Sequence, residues 1–452
     1  MSLNVALNTA VSGLFANQRA IAATSENVAN VNTADFVRRD VNFFTDNIPG
    51  QFAGVDVEIT RSAVDRFVQG ASFQGNADAT RSGIVADALS RVEASLGAPG
   101  DNISYANQLD EAFAALTALA ASPSSAAARA DAVVALDEAF AAFARTQEAI
   151  TAEINAAGDQ AEISIERANA LLEEIFRLNA SAPDSPSAGD LIDARISELS
   201  SLLNINVDRA DDGRVTVSTQ NGTVLANSAG YAALGFTDGP PSALTLSSVD
   251  GDGNVGAVIS ANIETEIASG ELRGLLDLRN IELPALARLV GQAAQGVSDE
   301  LNAAYALNTA VGATSTTVDP LIVNDGTGVF SVNASIAADP VSFAVARPTA
   351  GNAGGANDGL GAAALASVSA STAVSDTAQS VALVGSAARN AALSAQTNGA
   401  IAAELSARAS AEGGVNLDEE LSNLILYQRA YNANARVIAA VDELWQSLLS
   451  II

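Results

Sequence analysis

The 452-residue sequence predicts an α+β multi-domain chain. It is expected to be elongated, with discontinuous nested domains: N- and C-terminal helices forming a coiled-coil-like bundle, a long helical-rod domain and a small β-rich inserted domain. Three observations carry this. Apolar residues at heptad spacing occupy both ends; alternating three- and four-residue steps run from Leu136 to Leu178; and turn signals with short alternating runs fill residues 205 to 265. The length also exceeds what one hydrophobic core supports.

Leu3, Leu7, Ala10, Leu14, Ile21 and Val28 draw one stripe, which predicts a helix over residues 3–30. Asn27, Asn30 and Asn32 end it, because their side chains bond nearby backbone and favour turns. A shorter helix through Leu109, Phe113, Leu116 and Ala120 leads to the link at 121–125, where Pro123 follows a capping Ser122. The rod comes next, with Leu136, Phe140, Phe143, Gln147, Ile150, Ile154, Ala157, Ala161, Ser164, Ala168, Leu171, Ile175 and Leu178 on one face. Asp211-Asp212-Gly213, Asn221-Gly222, Gly239-Pro240-Pro241 and Asp250-Gly251-Asp252-Gly253 then punctuate β-structure. Helix is expected again over 270–310 with a break at Pro284, turns over 311–362, and Ala- and Ser-rich helix over 364–412. Asn416 and Glu419 resemble a capping box for a last helix whose seam runs Leu417, Leu421, Leu424, Gln428, Tyr431, Ala435, Ile438, Asp442, Trp445, Leu449, Ile452. The expected domains are 1–40 with 414–452 (terminal helical core), 41–205 with 266–413 (rod, with β and loop excursions including 311–363) and 206–265 (β-rich insert).

Composition narrows the function. The absence of Cys and His removes thiolate nucleophiles, imidazole bases and common zinc sites, so no catalytic, cofactor-binding or metal-ligating set is expected. Net charge is −30 and every cation is Arg, which argues against nucleic-acid and anionic-lipid partners. Residues 1–40 sum to zero and residues 415–452 to −3, so the middle carries −27 and is expected to face water. No stretch approaches the ~20 apolar residues of a membrane span, and no secretory signal is read at the start.

Two short motifs have duller explanations. Gly251 to Gly256 matches a dinucleotide fingerprint, but the following Ala257-Val258-Ile259 alternates like a strand, whereas the fingerprint opens a helix. Asp250, Asp252 and Asn254 begin like a calcium loop, yet Val255 and Ala261 stand where it needs Gly and Glu. Paired carboxylates such as Glu173-Glu174 read as solvated helix faces. The rod seam reads as internal packing. The terminal seams read as partner surfaces, since little core remains to cover them.

Residues 7–39, LNTAVSGLFANQRAIAATSENVANVNTADFVRR, resemble the N-terminal signature of the flagellar rod, hook and hook-associated axial proteins, and residues 414–449 resemble the C-terminal one. VDVEITRSAVDRFV, EEIFRLNA, GELRGLLDLRN and SVNASIAADP resemble the hook-associated members, and they fall in the expected order. Ala34-Asp35-Phe36 departs from relatives that carry Gly before the aromatic. The resemblance implies a non-enzymatic structural subunit, secreted through the flagellar type III apparatus and located at the extracellular hook–filament junction. Its implied partners are further copies in a ring or helical layer, hook protein below, a second hook-associated junction protein above and an export chaperone on the C-terminal helix. Subunit contact is implied for Leu3, Leu7, Leu14, Ile21, Leu421, Leu424, Tyr431, Ile438 and Leu449. The family motif falls on Asn27, Asn30, Asn32, Thr33 and Phe36, and chaperone contact on Leu421, Leu424, Ile438 and Trp445. A hook or rod protein would share the terminal signatures but lack the long rod. A secreted binding module would need more aromatics in the insert than Tyr231 and Phe236.

Overall fold

The rod is one helix. In the computed structural model, which describes residues 3–33, 36–48, 51–62, 66–97, 103–182, 186–210, 212–237, 239, 241–250, 253–310, 319–348 and 354–449, α4 runs Ala126–Asn179. At 1.5 Å per residue it is about 80 Å long. The seam read from sequence is buried or half-buried along its length, with Leu136, Phe140, Phe143, Ile150, Ala157, Ala168, Leu171 and Ile175 in the core. Its partners lie in the same chain: α3 (Tyr105–Ala121), α5 (Pro186–Leu202), α6 (Glu271–Asp277) and α7 (Leu283–Tyr305). The cap at its start is Ser125, whose side chain accepts from Ala128 N at 3.2 Å; Ser122 instead closes α3. Pro123 and Ser124 separate the two.

Three elements before the insert escape the sequence reading. A hairpin, β1 (Arg39–Ile48) and β2 (Gln51–Arg61), follows α1 (Leu3–Ala29), and α2 (Arg66–Leu96) follows the hairpin. The third is α5. Helix α2 packs along α10 (Thr372–Gly413), where the contact is close enough that a Cβ on Gly75 would stand 2.9 Å from the Leu405 side chain. Between α7 and α10 lie β9 (Ile322–Asn324), β10 (Phe330–Val332), α8 (Ala334–Ala338) and α9 (Leu360–Ser367). Pro284 does not break its helix. A π-turn at Leu278–Glu282 precedes it, so α6 and α7 continue into one another and the missing Pro N–H falls at the second position of α7.

The insert is a six-stranded antiparallel meander in sequence order: β3 (Ile205–Arg209), β4 (Val215–Thr219), β5 (Val224–Ala226), β6 (Tyr231–Thr237), β7 (Ala243–Val249) and β8 (Val255–Ser260). Val215, Val217, Ala232, Leu234, Leu244 and Leu246 join the common core. Strand β8 begins two residues after Gly253, as a hairpin turn requires and a nucleotide-binding helix does not; Gly251 and Asp252 lie outside the described residues.

Asparagines fasten helices to strands. Asn169 and Asn179 of α4 each bond both backbone groups of one strand residue, Leu234 and Val215 respectively, at 2.7–3.0 Å. Asn302 does the same to Ile322, and Asn280 of the π-turn to Ser242, the residue before β7 begins. One amide supplies a donor and an acceptor in the plane of a peptide group, so it satisfies an exposed stretch of backbone as a neighbouring strand would. This explains the Leu-Leu-Asp-Leu-Arg-Asn segment. Asp277 pairs with Arg81 and Arg273, Arg279 reaches Ile154 O at 3.0 Å, and Asn280 holds Ser242, so one turn joins α2, α4 and the sheet. A Cβ on Gly158 of α4 would collide with the Arg279 guanidinium. Gly158→Ala is therefore expected to destabilise the body by about 1–3 kcal/mol by displacing a half-buried, hydrogen-bonded cation, readable as a lower thermal midpoint.

Candidate functional site

The chain ends pair. Ala10, Gly13, Asn17, Ala20, Thr24 and Asn27 form the buried line of α1, in alternating steps of three and four. They face α11 (Leu417–Leu449) in antiparallel sense, since Asn27 meets Glu420 while a Cβ on Gly13 would lie 2.8 Å from Asn434 Nδ2. Glycine and alanine let the helix axes approach, and the larger residues flank the line. Gly13→Leu is expected to force α1 and α11 apart and to abolish assembly while leaving the body's thermal midpoint unchanged; electron microscopy with calorimetry separates the two readouts.

The residues singled out in the sequence divide accordingly. Leu3, Leu7, Leu14 and Ile21 are half-buried beside the small-residue line. Leu424, Tyr431 and Ile438 are half-buried against α1, whereas Leu417, Leu421, Gln428, Asp442, Trp445 and Leu449 are exposed and Ile452 lies outside the described residues. The less exposed line of α11, which meets α1 at Glu420 and Asn434, runs through Glu420, Leu424, Tyr427, Tyr431, Asn434, Ile438 and Val441, so it is rotated from the seam that hydrophobicity alone draws. A pit of about 320 Å³ remains between Leu7, Ile438 and Trp445.

The hairpin lies against this pair. Val55 N donates to Ser12 Oγ at 3.1 Å, Val57 is buried, and Phe43 meets Tyr427 with ring centroids 5.7 Å apart. Burial, followed by the Glu420 charge, raises the Tyr427 pKa.

Where the pair joins the body, polar groups are buried. Asn27, fully enclosed, accepts from Arg39 N at 2.8 Å and donates to Arg39 O at 3.0 Å and to Glu420 Oε2 at 3.1 Å. The Arg39 side chain pairs with Asp190 of α5, comes within 3.6 Å of Glu26 and lies 5.2 Å from the Phe36 ring centroid. Arg38 bonds Asp40 and Glu419, and its N–H reaches Gly413 O at 3.0 Å. Burial lowers the Arg38 pKa, but Asp40, Glu419 and Glu420 outweigh it, so the net shift is upward. Asn416 accepts from Asp418 N and Glu419 N. Glu419 turns to Arg38 instead of closing a capping box.

The remaining motif residues build the turn. Asn30 donates to Glu26 O and accepts from Thr33 Oγ1, Asn32 is exposed, and Phe36 lies beside Arg39. Ala34 and Asp35 lie outside the described residues. This turn borders a cleft of about 720 Å³ whose far walls are α2, α5 and the end of α10. Arg39, Glu420, Asp190 and Gly13 were not singled out from sequence. The available signal was the Arg38-Arg39 pair, set against the Asp418-Glu419-Glu420 run in the matching terminal segment. Among the described residues there is no cluster of three or more acidic groups suited to a metal ion, and no helix is long and apolar enough to cross a membrane.

Three family models match the chain: flagella basal body rod protein over residues 7–36, flagellar hook-associated protein FlgK helical domain over 89–316, and flagellar basal body rod FlgEFG protein C-terminal over 411–451. The chain is 24% identical to flagellar hook-associated protein 1 of Escherichia coli K12, covering 98% of this chain and 99% of that one. A stretch of 45 residues, 10% of this chain and 8% of the other, is 56% identical to flagellar hook protein FlgE of Caulobacter vibrioides. A solved structure of the flagellar hook junction protein FlgK from Burkholderia pseudomallei aligns with TM-score 0.47 and 21% identity over 54% of this chain, which spans 44% of that one. The terminal models fall on the paired helices and the helical-domain model on α3, α4 and their partners; matched by that model over half its length, the chain belongs to the flagellar hook-associated protein FlgK family.

Proposed function

We propose that the chain forms the junction between hook and filament and polymerises there through its terminal helices, after export through the flagellar type III apparatus. Family membership makes it a structural component of the flagellum; its position and partners are part of the proposal. The observation that carries it is the terminal pair, whose two helices match rod-protein models, and which is held to a separately packed body by one polar neck. A part that ends in paired helices with uncovered apolar faces suits stacking into a tube, and the acidic middle suits the outside.

Hook protein below and a second hook-associated protein above are the expected neighbours, in line with the rod-protein and hook-protein matches. The expected chaperone residues bear on the order of events. Leu421 and Trp445 are exposed, but Leu424 and Ile438 lean on α1, so a chaperone gripping all four binds α11 before α1 pairs with it. Helices that pair only on assembly offset their ordering entropy by burial at that moment.

Truncation before Asn416 tests the reading. Bare hooks with flagellin lost to the medium are expected. Missing hooks would point to a rod or hook subunit, and normal filaments would show that the terminal pair is dispensable.

A further inference from the structure

The pairing of α1 with α11 leaves a second apolar side of α11 uncovered. Leu426, Val437 and Leu444 are 60%, 44% and 54% exposed, and Ala433 and Ala440 lie between them. The spacing draws one helical stripe, turned by about 100° from the residues that face α1. Arg429 and Arg436 flank it on one side, seven residues and about 10 Å apart. Among the described residues neither forms an ion pair or hydrogen bond, in a chain of net charge −30. A stripe of leucine and valine edged by unpaired cations is an unusual surface on so acidic a molecule.

Its complement is at the same end. Strand register places Asn42, Phe44, Asp56 and Glu58 on the hairpin face opposite Phe43 and Val57. Phe44 is 48% exposed, and Glu58 is exposed without an ion pair among the described residues. Asp56 keeps 57% side-chain exposure although Arg19 approaches within 3.2 Å.

We propose that the Leu426–Val437–Leu444 stripe, with Arg429 and Arg436, docks on the Phe44–Asp56–Glu58 face of a second copy of this chain. Phe44 meets the leucine and valine of the stripe, and the unpaired cations meet the Glu58 carboxylate. The two surfaces are different faces of one end, so each copy gives one and receives the other. A head-to-tail contact of that kind closes as a ring or continues as a helix. The charges at its rim set orientation more than affinity. This rests on the reading of the terminal pair as the assembly part, and it names the face used between copies.

The chain has no cysteine, so Arg436→Cys and Glu58→Cys can be combined and treated with a thiol-specific bismaleimide on isolated flagella. Dimers and higher multiples of this chain are expected from the double variant and not from either single one. Incorporation without multiples would overturn the pairing, as would a cross-link to a different protein. Absence of the unsubstituted chain from flagella would instead sink the assembly reading beneath it. As an independent arm, R436E and E58R should each lower incorporation and together restore it; a loss that persists in the charge-swapped chain counts against the contact.

Discussion

Asn27→Leu is expected to free the terminal helix pair from the body. The substitution keeps the shape but removes a donor and an acceptor that serve Arg39 N, Arg39 O and Glu420 Oε2, all in buried surroundings. Each orphaned group costs about 1–3 kcal/mol, more for the carboxylate, so the coupling should weaken by roughly 3–5 kcal/mol. Glu420 would then leave the neck for water, and with it the first turn of α11. In isolated flagella, where α1 and α11 are paired, hydrogen exchange should accelerate through α1, the hairpin and α11 while α4 stays protected; unchanged exchange in α11 would show that the neck does not hold it. Asn27→Asp should do nearly as much harm, because it keeps the acceptor but sets a carboxylate against Glu420 and the Arg39 carbonyl.

Phe140→Ala should have the opposite distribution. Phe140 is fully buried on α4, with Phe143 and Phe330 ring centroids 6.1 and 6.3 Å away, so truncation leaves a cavity bounded by several elements. A loss of about 3–5 kcal/mol is expected for such a site. Denaturant unfolding followed by far-ultraviolet circular dichroism should show the midpoint of the body falling. Exchange in α1 and α11 should change little while the body remains folded. Together the two variants ask whether the ends and the body are separate cooperative units.

The sequence made the body's spine readable because α4 keeps large apolar residues on one face for its whole length and buries them within the chain. The ends were readable as helices but not in their facing. On α1 the buried line is Ala10, Gly13, Asn17, Ala20, Thr24 and Asn27, chosen for closeness of approach, while the eye is drawn to Leu3, Leu7, Leu14 and Ile21 beside it. Helix α2 was hidden by Gly70, Gly75 and Gly83, whose low propensity is overridden by packing along α10. The hairpin did alternate, at Val55, Val57 and Ile59, but the adjacent Phe43 and Phe44 of its first strand break the period. The neck was least legible: the motif asparagines were seen as turn formers, whereas Asn27 closes on a strand residue and on a carboxylate 393 positions away. Only the fold brings those groups together.

The measurement that tests the central claim most directly is immunogold electron microscopy of isolated hook–filament complexes, using antibody raised against the full chain. Gold confined to a narrow band at the boundary between hook and filament is the predicted result. Gold distributed along the hook, restricted to the rod, or absent from flagella that otherwise assemble normally would contradict it.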